Sequence, residues 1–169
     1  MTLRLILTRH AKSSWATPGQ EDHARPLAPR GRAAATAIGH WLAVQRYLPD
    51  LVLCSSAVRT QQTLSLILPG LPRQPVISAR AALYHASPSQ LREIIRRETA
   101  PCLMLVGHNP GIGLLAAGLV TTPPRHERFD DYPTAATTVI DFAVPSWADI
   151  TTGTCVAFVT PHDLNAAED

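Results

Sequence analysis

The amino-acid sequence predicts an α/β fold, a three-layer α/β/α sandwich around a mostly parallel (mixed) sheet. Three short runs rich in apolar residues, 3–7, 51–54 and 102–106, have the length and composition of buried strands. Segments with the 3.6-residue period of helices lie between them, at 30–47 and 57–68. Strands that alternate with helices in this way pair in parallel, and the helices cover both faces of their sheet.

The chain begins with a strand and a long loop. The strand covers residues 2–8, and residues 11–28, which are polar and contain several prolines, form the loop near its end. The helix over 30–47 ends before Pro49-Asp50. Its candidate core positions, which recur near the helical period, are Ala34, Ile38, Trp41, Leu42 and Val44.

The middle of the chain repeats the alternation. The strand at 51–54 leads into the helix over 57–68, and residues 76–77 predict a short further strand. A new helix starts after Ser87, because this serine can cap the helix and Pro88 suits its first turn.

The last part of the chain contains three strands and one helix. The strand at 102–106 is followed by a helix from Pro110 to about residue 120. Residues 121–133 are polar and form a loop, and 137–144 and 154–160 are late strands.

Length and composition predict one domain over residues 1–164 with a short C-terminal tail at 165–169. A chain of 169 residues that is 46% apolar can bury a full core. Cys54, Cys102 and Cys155 lie in or beside apolar runs without a paired spacing. We therefore expect small core side chains rather than disulfides or zinc ligands.

Charge and hydropathy exclude several classes of partner. The formal net charge is only +2 and the sequence has no run of basic residues, which argues against a nucleic-acid partner. No apolar stretch approaches the roughly 20 residues of a membrane span, and no signal peptide is apparent. We expect a cytoplasmic protein, and the sequence leaves its oligomeric state open.

Cationic and imidazole side chains follow three of the predicted strands. Arg9 and His10 come directly after the first strand, Arg59 soon after the strand at 51–54, and His108 after the strand at 102–106. The carboxyl ends of parallel strands share one edge of a sheet, where ligands of α/β proteins bind. We expect these four residues to form one pocket.

Two arginines and two histidines suit a phosphoryl dianion. The planar guanidinium group matches two phosphate oxygens and stays charged. A neutral imidazole is a competent nucleophile toward phosphorus, and nearby positive charge favours the neutral form. This chemistry requires no metal ion and no cofactor, because the arginines supply the charge.

A series of short motifs runs along almost the whole chain. The segments are Thr8-Arg9-His10-Ala11-Lys12-Ser13, Asp22-His23-Ala24-Arg25-Pro26-Leu27 with Arg30-Gly31, Cys54-Ser55-Ser56-Ala57-Val58-Arg59-Thr60-Gln61-Gln62-Thr63, Leu83-Tyr84-His85-Ala86, Val106-Gly107-His108-Asn109-Pro110, Pro133-Thr134-Ala135 and Pro161-His162-Asp163-Leu164. In composition and order they resemble the motifs of the histidine phosphatase superfamily, also called phosphoglycerate mutase-like, and in particular its SixA-like phosphohistidine phosphatase branch.

The resemblance implies a phosphoglycerate mutase-like fold and a role for each pocket residue. His10 would be the phosphorylated nucleophile, Arg9 and Arg59 would bind the phosphate, and His108 would be the second imidazole. Ser13 and Ser56 are candidates for additional hydroxyl donors, and Asn109 for orienting His108 or lining the pocket. The implied substrate is a phosphorylated protein or a small phosphomonoester, with inorganic phosphate as product.

The chain departs from the family in one respect. Larger members carry a glutamate general acid shortly after the strand that corresponds to 76–77, whereas residues 81–86 here contain no carboxylate. Asp22 and His85 are the candidate proton donors. Asp22 has an alternative role, which is to pair with Arg25 and order the loop.

Two other functions stay open at this point. One is a mutase-type phosphotransferase, which the short chain without obvious insertions disfavours. The other is a non-catalytic module that binds phosphate or a phosphoprotein. The missing glutamate is compatible with such a module, but the presence of all four pocket residues argues against it.

Overall fold

The computed structural model of the protein describes residues 2–166, and this part of the chain contains six strands and five α-helices. The strands are β1 (Leu3–Arg9), β2 (Leu51–Ser55), β3 (Val76–Arg80), β4 (Cys102–Gly107), β5 (Thr137–Phe142) and β6 (Thr154–Val159). The helices are α1 (Pro29–Gln45), α2 (Val58–Ile67), α3 (Pro88–Arg96), α4 (Gly111–Leu119) and α5 (Pro161–Ala166). None of these helices is long and apolar enough to cross a membrane.

All six strands belong to one sheet with the order β3-β2-β4-β1-β5-β6. The pairs β3–β2, β2–β4 and β4–β1 are parallel, whereas β5 is antiparallel to both of its neighbours. The sheet is therefore mixed and mostly parallel, which confirms the predicted α/β fold. Because β5 runs the other way, its first residue, Thr137, pairs with Thr8 near the end of β1.

The two faces of the sheet carry separate apolar layers, because successive side chains of a strand point to opposite faces. In β1, Leu5 and Leu7 pack against the side covered by α3 and α4. Ile6 points the other way and packs with Ile38 of α1 and Ile67 of α2. Both layers are fully buried, which explains why the central strands are apolar at almost every position.

The start of α3 shows how local sequence signals set an element boundary. The Ser87 hydroxyl accepts a hydrogen bond from the Gln90 amide (3.2 Å), and the Ser87 amide donates to the Gln90 side chain (2.9 Å). Pro88 occupies the first turn. This reciprocal capping satisfies amide donors that have no partner within the helix, so the predicted start is confirmed.

Some predicted boundaries and core positions are wrong. Val44, one of the predicted core positions of α1, is 63% exposed. The buried stripe of this helix contains Ala35 together with the predicted Ile38 and Leu42, and Val44 lies outside it. The strand expected at 76–77 extends over Val76–Arg80. Its side chains are largely exposed because it forms the sheet edge.

The expected C-terminal tail, 165–169, is only partly described. Asn165 and Ala166 belong to α5. Residues 167–169 lie outside the described part of the chain.

Helices α1 and α2 pack in close contact where α2 ends. Gly39 of α1 lies against the backbone of Ile67, and a Cβ atom on Gly39 would be 2.5 Å from the Ile67 carbonyl oxygen. The two helices can approach this closely only because position 39 has no side chain.

We predict that Gly39→Ala lowers the free energy of unfolding by about 1–3 kcal/mol, the usual cost of overpacking a tight contact. Gly118→Ala is the matched control, because Gly118 is also helical but a Cβ there meets no atom within 4 Å. Alanine at position 118 should be neutral or stabilising by up to about 1 kcal/mol. Urea unfolding measures both, and equal effects at the two positions would contradict the proposed contact.

Candidate active site

The four predicted pocket residues meet at the carboxyl edge of the sheet. Arg9 ends β1 and His10 follows it, while His108 follows the neighbouring strand β4, and the register pairs Arg9 with Gly107. The two imidazole rings are therefore close, with centroids 5.4 Å apart. Arg59 lies in the first turn of α2 and is buried, as are both histidines.

The surrounding backbone fixes the His10 ring and its tautomer. Nδ1 lies 2.8 Å from the carbonyl oxygen of Ala11. A carbonyl oxygen can only accept, so Nδ1 carries the proton and Nε2 keeps its lone pair. The backbone of His10 is held on both sides, because its amide donates to Gly107 (3.0 Å) and its carbonyl accepts from Ala135 (3.0 Å).

Both imidazoles are neutral at neutral pH. Burial lowers the pKa of His10 to about 4, and the positive charges of Arg9, Arg59 and Arg25 act in the same direction. The hydrogen bond to Ala11 opposes this shift only in part. Burial also lowers the pKa of His108 to about 3, with further lowering from neighbouring groups that include Arg59.

Several buried side-chain nitrogens of the pocket residues have no hydrogen-bond partner. Residues 2–166 contain four buried side-chain polar atoms without a hydrogen-bond partner, and three of them are Arg9 Nε, Arg59 Nε and His108 Nδ1. Leaving such groups buried and unpaired costs about 1–3 kcal/mol each.

Asp22 anchors this pocket from the side of the long loop. Its Oδ2 accepts hydrogen bonds from Arg59 Nη2 (2.9 Å) and from the Tyr84 hydroxyl. Its Oδ1 accepts from Arg25 Nη2 (3.1 Å), and its backbone carbonyl accepts from Arg59 Nη1 (2.7 Å). His85 Nε2 lies 3.3 Å from Oδ2.

These contacts favour an ionised Asp22 over the expected proton donor. The hydrogen bond from Tyr84, followed by those from Arg59 and Arg25, holds the pKa of the Asp22 carboxyl well below its usual range. Asp22 is therefore ionised at neutral pH and has no proton to give. Asp22 does form the ion pair with Arg25 on which the alternative role depends.

The sequence matches a family model over residues 5–82, described as the histidine phosphatase superfamily (branch 1). An uncharacterised protein of Mycobacterium tuberculosis (strain H37Rv) is 38% identical over 161 residues, which cover 91% of this chain and 98% of that protein. The chain belongs to the histidine phosphatase superfamily. Membership supports phosphatase activity.

Solved structures place this histidine phosphatase in the SixA-like branch. A candidate phosphohistidine phosphatase SixA from Nakamurella multipartitia is 29% identical, with a TM-score of 0.78, over 95% of this chain and 97% of that one. A candidate SixA from Agrobacterium tumefaciens is 28% identical, with a TM-score of 0.79, over 94% and 98% of the two chains. The protein histidine phosphatase SixA in complex with tungstate shares the fold at 21% identity and a TM-score of 0.77, over 96% and 99%.

Ser13 and Ser56, the two serines predicted as hydroxyl donors, form hydrogen bonds to other side chains around the site. Ser13 Oγ accepts from Arg25 Nη1 (2.8 Å), and Ser56 Oγ lies 2.9 Å from His23 Nε2. The serine missed by sequence reasoning is Ser55, whose hydroxyl lies 2.7 Å from His108 Nε2. Serines 55 and 56 are adjacent at the end of β2, and no sequence signal distinguishes the one that faces His108.

The Asn109 side chain forms hydrogen bonds to two neighbouring segments. Its side-chain amide donates to the Tyr132 carbonyl (2.9 Å), and its Oδ1 accepts from the Gly113 amide (3.1 Å). Asn109 thus ties the segment before β5 to α4. Arg9 Nη1 donates to the same Tyr132 carbonyl (3.0 Å), so this segment also holds Arg9 in place.

Tyr84 is the other functional residue that sequence reasoning did not single out. Its ring packs against His85 (4.0 Å between centroids) and against His108 (5.3 Å), while its hydroxyl binds Asp22. His85 has a left-handed backbone (φ 54°), which turns the chain sharply beside the pocket. The motif Leu83-Tyr84-His85-Ala86 indicated that this segment is functional. It did not indicate that Tyr84 is the side chain whose hydroxyl contacts the Asp22 carboxylate.

Residues 2–166 contain no group of three or more His, Cys, Asp and Glu side chains that could hold a metal ion.

We predict that the imidazoles of His10 and His108 titrate well below pH 6.5, near pH 4 and pH 3. NMR titration of the ring protons measures both midpoints. Arg59→Gln should raise the His10 midpoint, because it removes a nearby positive charge. Arg97→Gln, at an exposed position after α3, should leave it unchanged. A His10 midpoint near 6.5 in the native protein would contradict the electrostatic description of the pocket.

Proposed function

We propose that the protein is a metal-independent phosphatase that forms a phosphohistidine on His10 Nε2. The observation that carries the proposal is the combination of a neutral imidazole with a free Nε2 lone pair and three unpaired nitrogens on Arg9, Arg59 and His108. Such an arrangement offers a nucleophile and a binding site for the oxygens around the phosphorus atom it attacks.

The reaction proceeds in two displacements at phosphorus. His10 Nε2 attacks in line and forms a P–N bond, while the bond to the leaving group breaks and the leaving group takes the electron pair. Water then attacks the phosphohistidine, phosphate leaves with the water oxygen, and Nε2 regains its lone pair. The proton released from water balances the one that the leaving group takes up.

The arginines stabilise the charge on the phosphoryl oxygens in both displacements. Arg59 is held by Asp22, so its orientation is set before substrate binds, and little reorganisation is needed in the transition state. The SixA relative that binds tungstate supports this part of the proposal, because tungstate is a tetrahedral oxyanion like phosphate.

The substrate is a phosphohistidine on a protein or a phosphomonoester with a good leaving group. Asp22 is ionised and so cannot protonate a leaving alkoxide. An imidazole leaving group or a phenolate depends less on such a proton than an alkoxide does. A module that only binds phosphate would not need the free lone pair on His10 Nε2. For the other alternative, a mutase reaction, no observation favours it over hydrolysis.

We predict that His10→Ala abolishes turnover of an aryl phosphate without changing the fold. Product absorbance measures turnover, and circular dichroism measures folding. The intermediate is detected as an acid-labile label on the native protein after reaction with a radioactive phosphoryl donor. His40→Ala is the matched control, because His40 is exposed on α1, and it should retain full activity and labelling. Normal turnover by the His10 variant would refute the nucleophile.

We predict that Asp22→Asn lowers the turnover of aryl and alkyl phosphates by a similar factor. The variant loses the charge that anchors Arg59 and Arg25, whereas it loses no proton donor. The cost should be about 2–4 kcal/mol in kcat/KM, comparable to the loss of a charge-stabilising donor. The native enzyme should strongly prefer aryl over alkyl phosphates.

A selective loss of alkyl phosphate turnover in Asp22→Asn, together with a moved alkaline limb of the pH–rate profile, would restore Asp22 as the acid. His85→Gln tests the remaining candidate in the same assay. His85 adjoins His108 (5.6 Å between centroids) and Asp22. If His85 protonates the leaving group, only the alkyl substrates should become slower.

A further inference from the structure

A second concave site adjoins the phosphate pocket on the side of β5 and β6. It is a hollow of about 510 Å³ between the start of α1, the start of α5 and the segment before β5. Strand β6 ends at Val159, which pairs with Thr137, so the start of α5 lies at the same sheet edge as His10. Thr134 lines the hollow, and the next residue, Ala135, donates its amide to the His10 carbonyl.

The hollow is positively charged. Its lining residues include Lys12, Arg30 and Arg128, and among residues 2–166 no carboxylate lines it. Arg128 already pairs with Asp131 (3.0 Å). Lys12 and Arg30 are exposed and form no ion pair among residues 2–166, so their charges remain available.

The neighbouring acidic groups do not cancel this charge. Asp131 is occupied by Arg128. Asp163, near the start of α5, lies 2.9 Å from His126 Nε2 and accepts hydrogen bonds from the amide and hydroxyl of Thr160. An incoming carboxylate would therefore meet the ammonium of Lys12 and the guanidinium of Arg30.

The hollow is distinct from the phosphate pocket. None of Arg9, His10, Arg59 and His108 lines it. The segment before β5 lies between them, because Arg9 binds the Tyr132 carbonyl while Pro133 and Thr134 line the hollow. A molecule that occupies both sites must extend across this segment, as a polypeptide can.

We propose that the hollow docks an acidic segment of a phosphorylated protein substrate while its phosphohistidine occupies the pocket. The proposal rests on the function proposed above and specifies its substrate class. Complementary charge at the rim of a site raises the association rate and selects among partners, and salt weakens it. The cations at Lys12 and Arg30 therefore select acidic substrates without taking part in the chemistry.

The test compares two peptides that carry a central phosphohistidine, one flanked on both sides by glutamates and the other by glutamines. Three forms of the enzyme are assayed: native, Lys12→Glu/Arg30→Glu, and Arg92→Glu/Arg97→Glu. The last is the matched control, because it makes the same change in net charge on α3 and just after it, on the opposite face of the sheet. An aryl phosphate reports on the chemistry alone.

We expect the native enzyme and the α3 control to prefer the glutamate peptide in kcat/KM on the order of tenfold at low salt. The preference should shrink as ionic strength rises. Lys12→Glu/Arg30→Glu should abolish or reverse it and leave aryl phosphate turnover unchanged. The neutral variant Lys12→Gln/Arg30→Gln should give an intermediate preference, which guards against a folding defect in the charge-reversed form.

Three results would overturn the docking proposal. The first is equal kcat/KM for the two peptides in the native enzyme, and the second is an equal loss of preference in both charge-reversed variants. The third is a parallel loss of aryl phosphate turnover in Lys12→Glu/Arg30→Glu, which would place these two residues in the pocket. Each of these leaves the phosphatase function intact. Failure of the proposed function is a separate result, namely no turnover of any substrate and no labelling of His10.

Discussion

The ion pair between Asp22 and Arg59 is the interaction on which the geometry of the site depends. Arg59 is almost completely buried, and both of its terminal nitrogens bond to Asp22. The same carboxylate receives Arg25 from its own loop and Tyr84 from the segment after β3. Three segments that are distant in sequence thus converge on one charge. Removing that charge would leave the buried Arg59 guanidinium with only the backbone carbonyl of residue 22 as a partner, which we expect to destabilise the fold.

The buried positive charge also determines the protonation of the site. Burial and the arginine charges keep His10 neutral, so the ring retains its nucleophilic lone pair at neutral pH. The hydrogen bond from Tyr84, together with those from Arg59 and Arg25, lowers the pKa of Asp22. We propose that this one electrostatic arrangement provides both the nucleophile and the anion-binding site.

Strand β5, the one strand among residues 2–166 that runs against the others, positions the segment that precedes it beside the pocket. Because β5 starts at the edge where β1 ends, the segment before it lies against the catalytic side of the sheet. That segment fixes Arg9 through the Tyr132 carbonyl and His10 through the Ala135 amide. Its other side lines the basic hollow. The segment before β5 therefore contacts the pocket residues on one side, and on its other side it lines the hollow that we propose as the docking site.

The sequence by itself determined the strand–helix alternation and the convergence of Arg9, His10, Arg59 and His108, because hydrophobic periodicity and strand ends are local features. Only the tertiary structure decided the protonation of Asp22, the choice of Ser55 over Ser56 beside His108, and the outward position of Val44. These depend on which charges and side chains from distant segments surround a residue. Neither pKa nor orientation can be deduced from a residue's neighbours in sequence, since both arise from burial and from contacts that form only when the chain has folded.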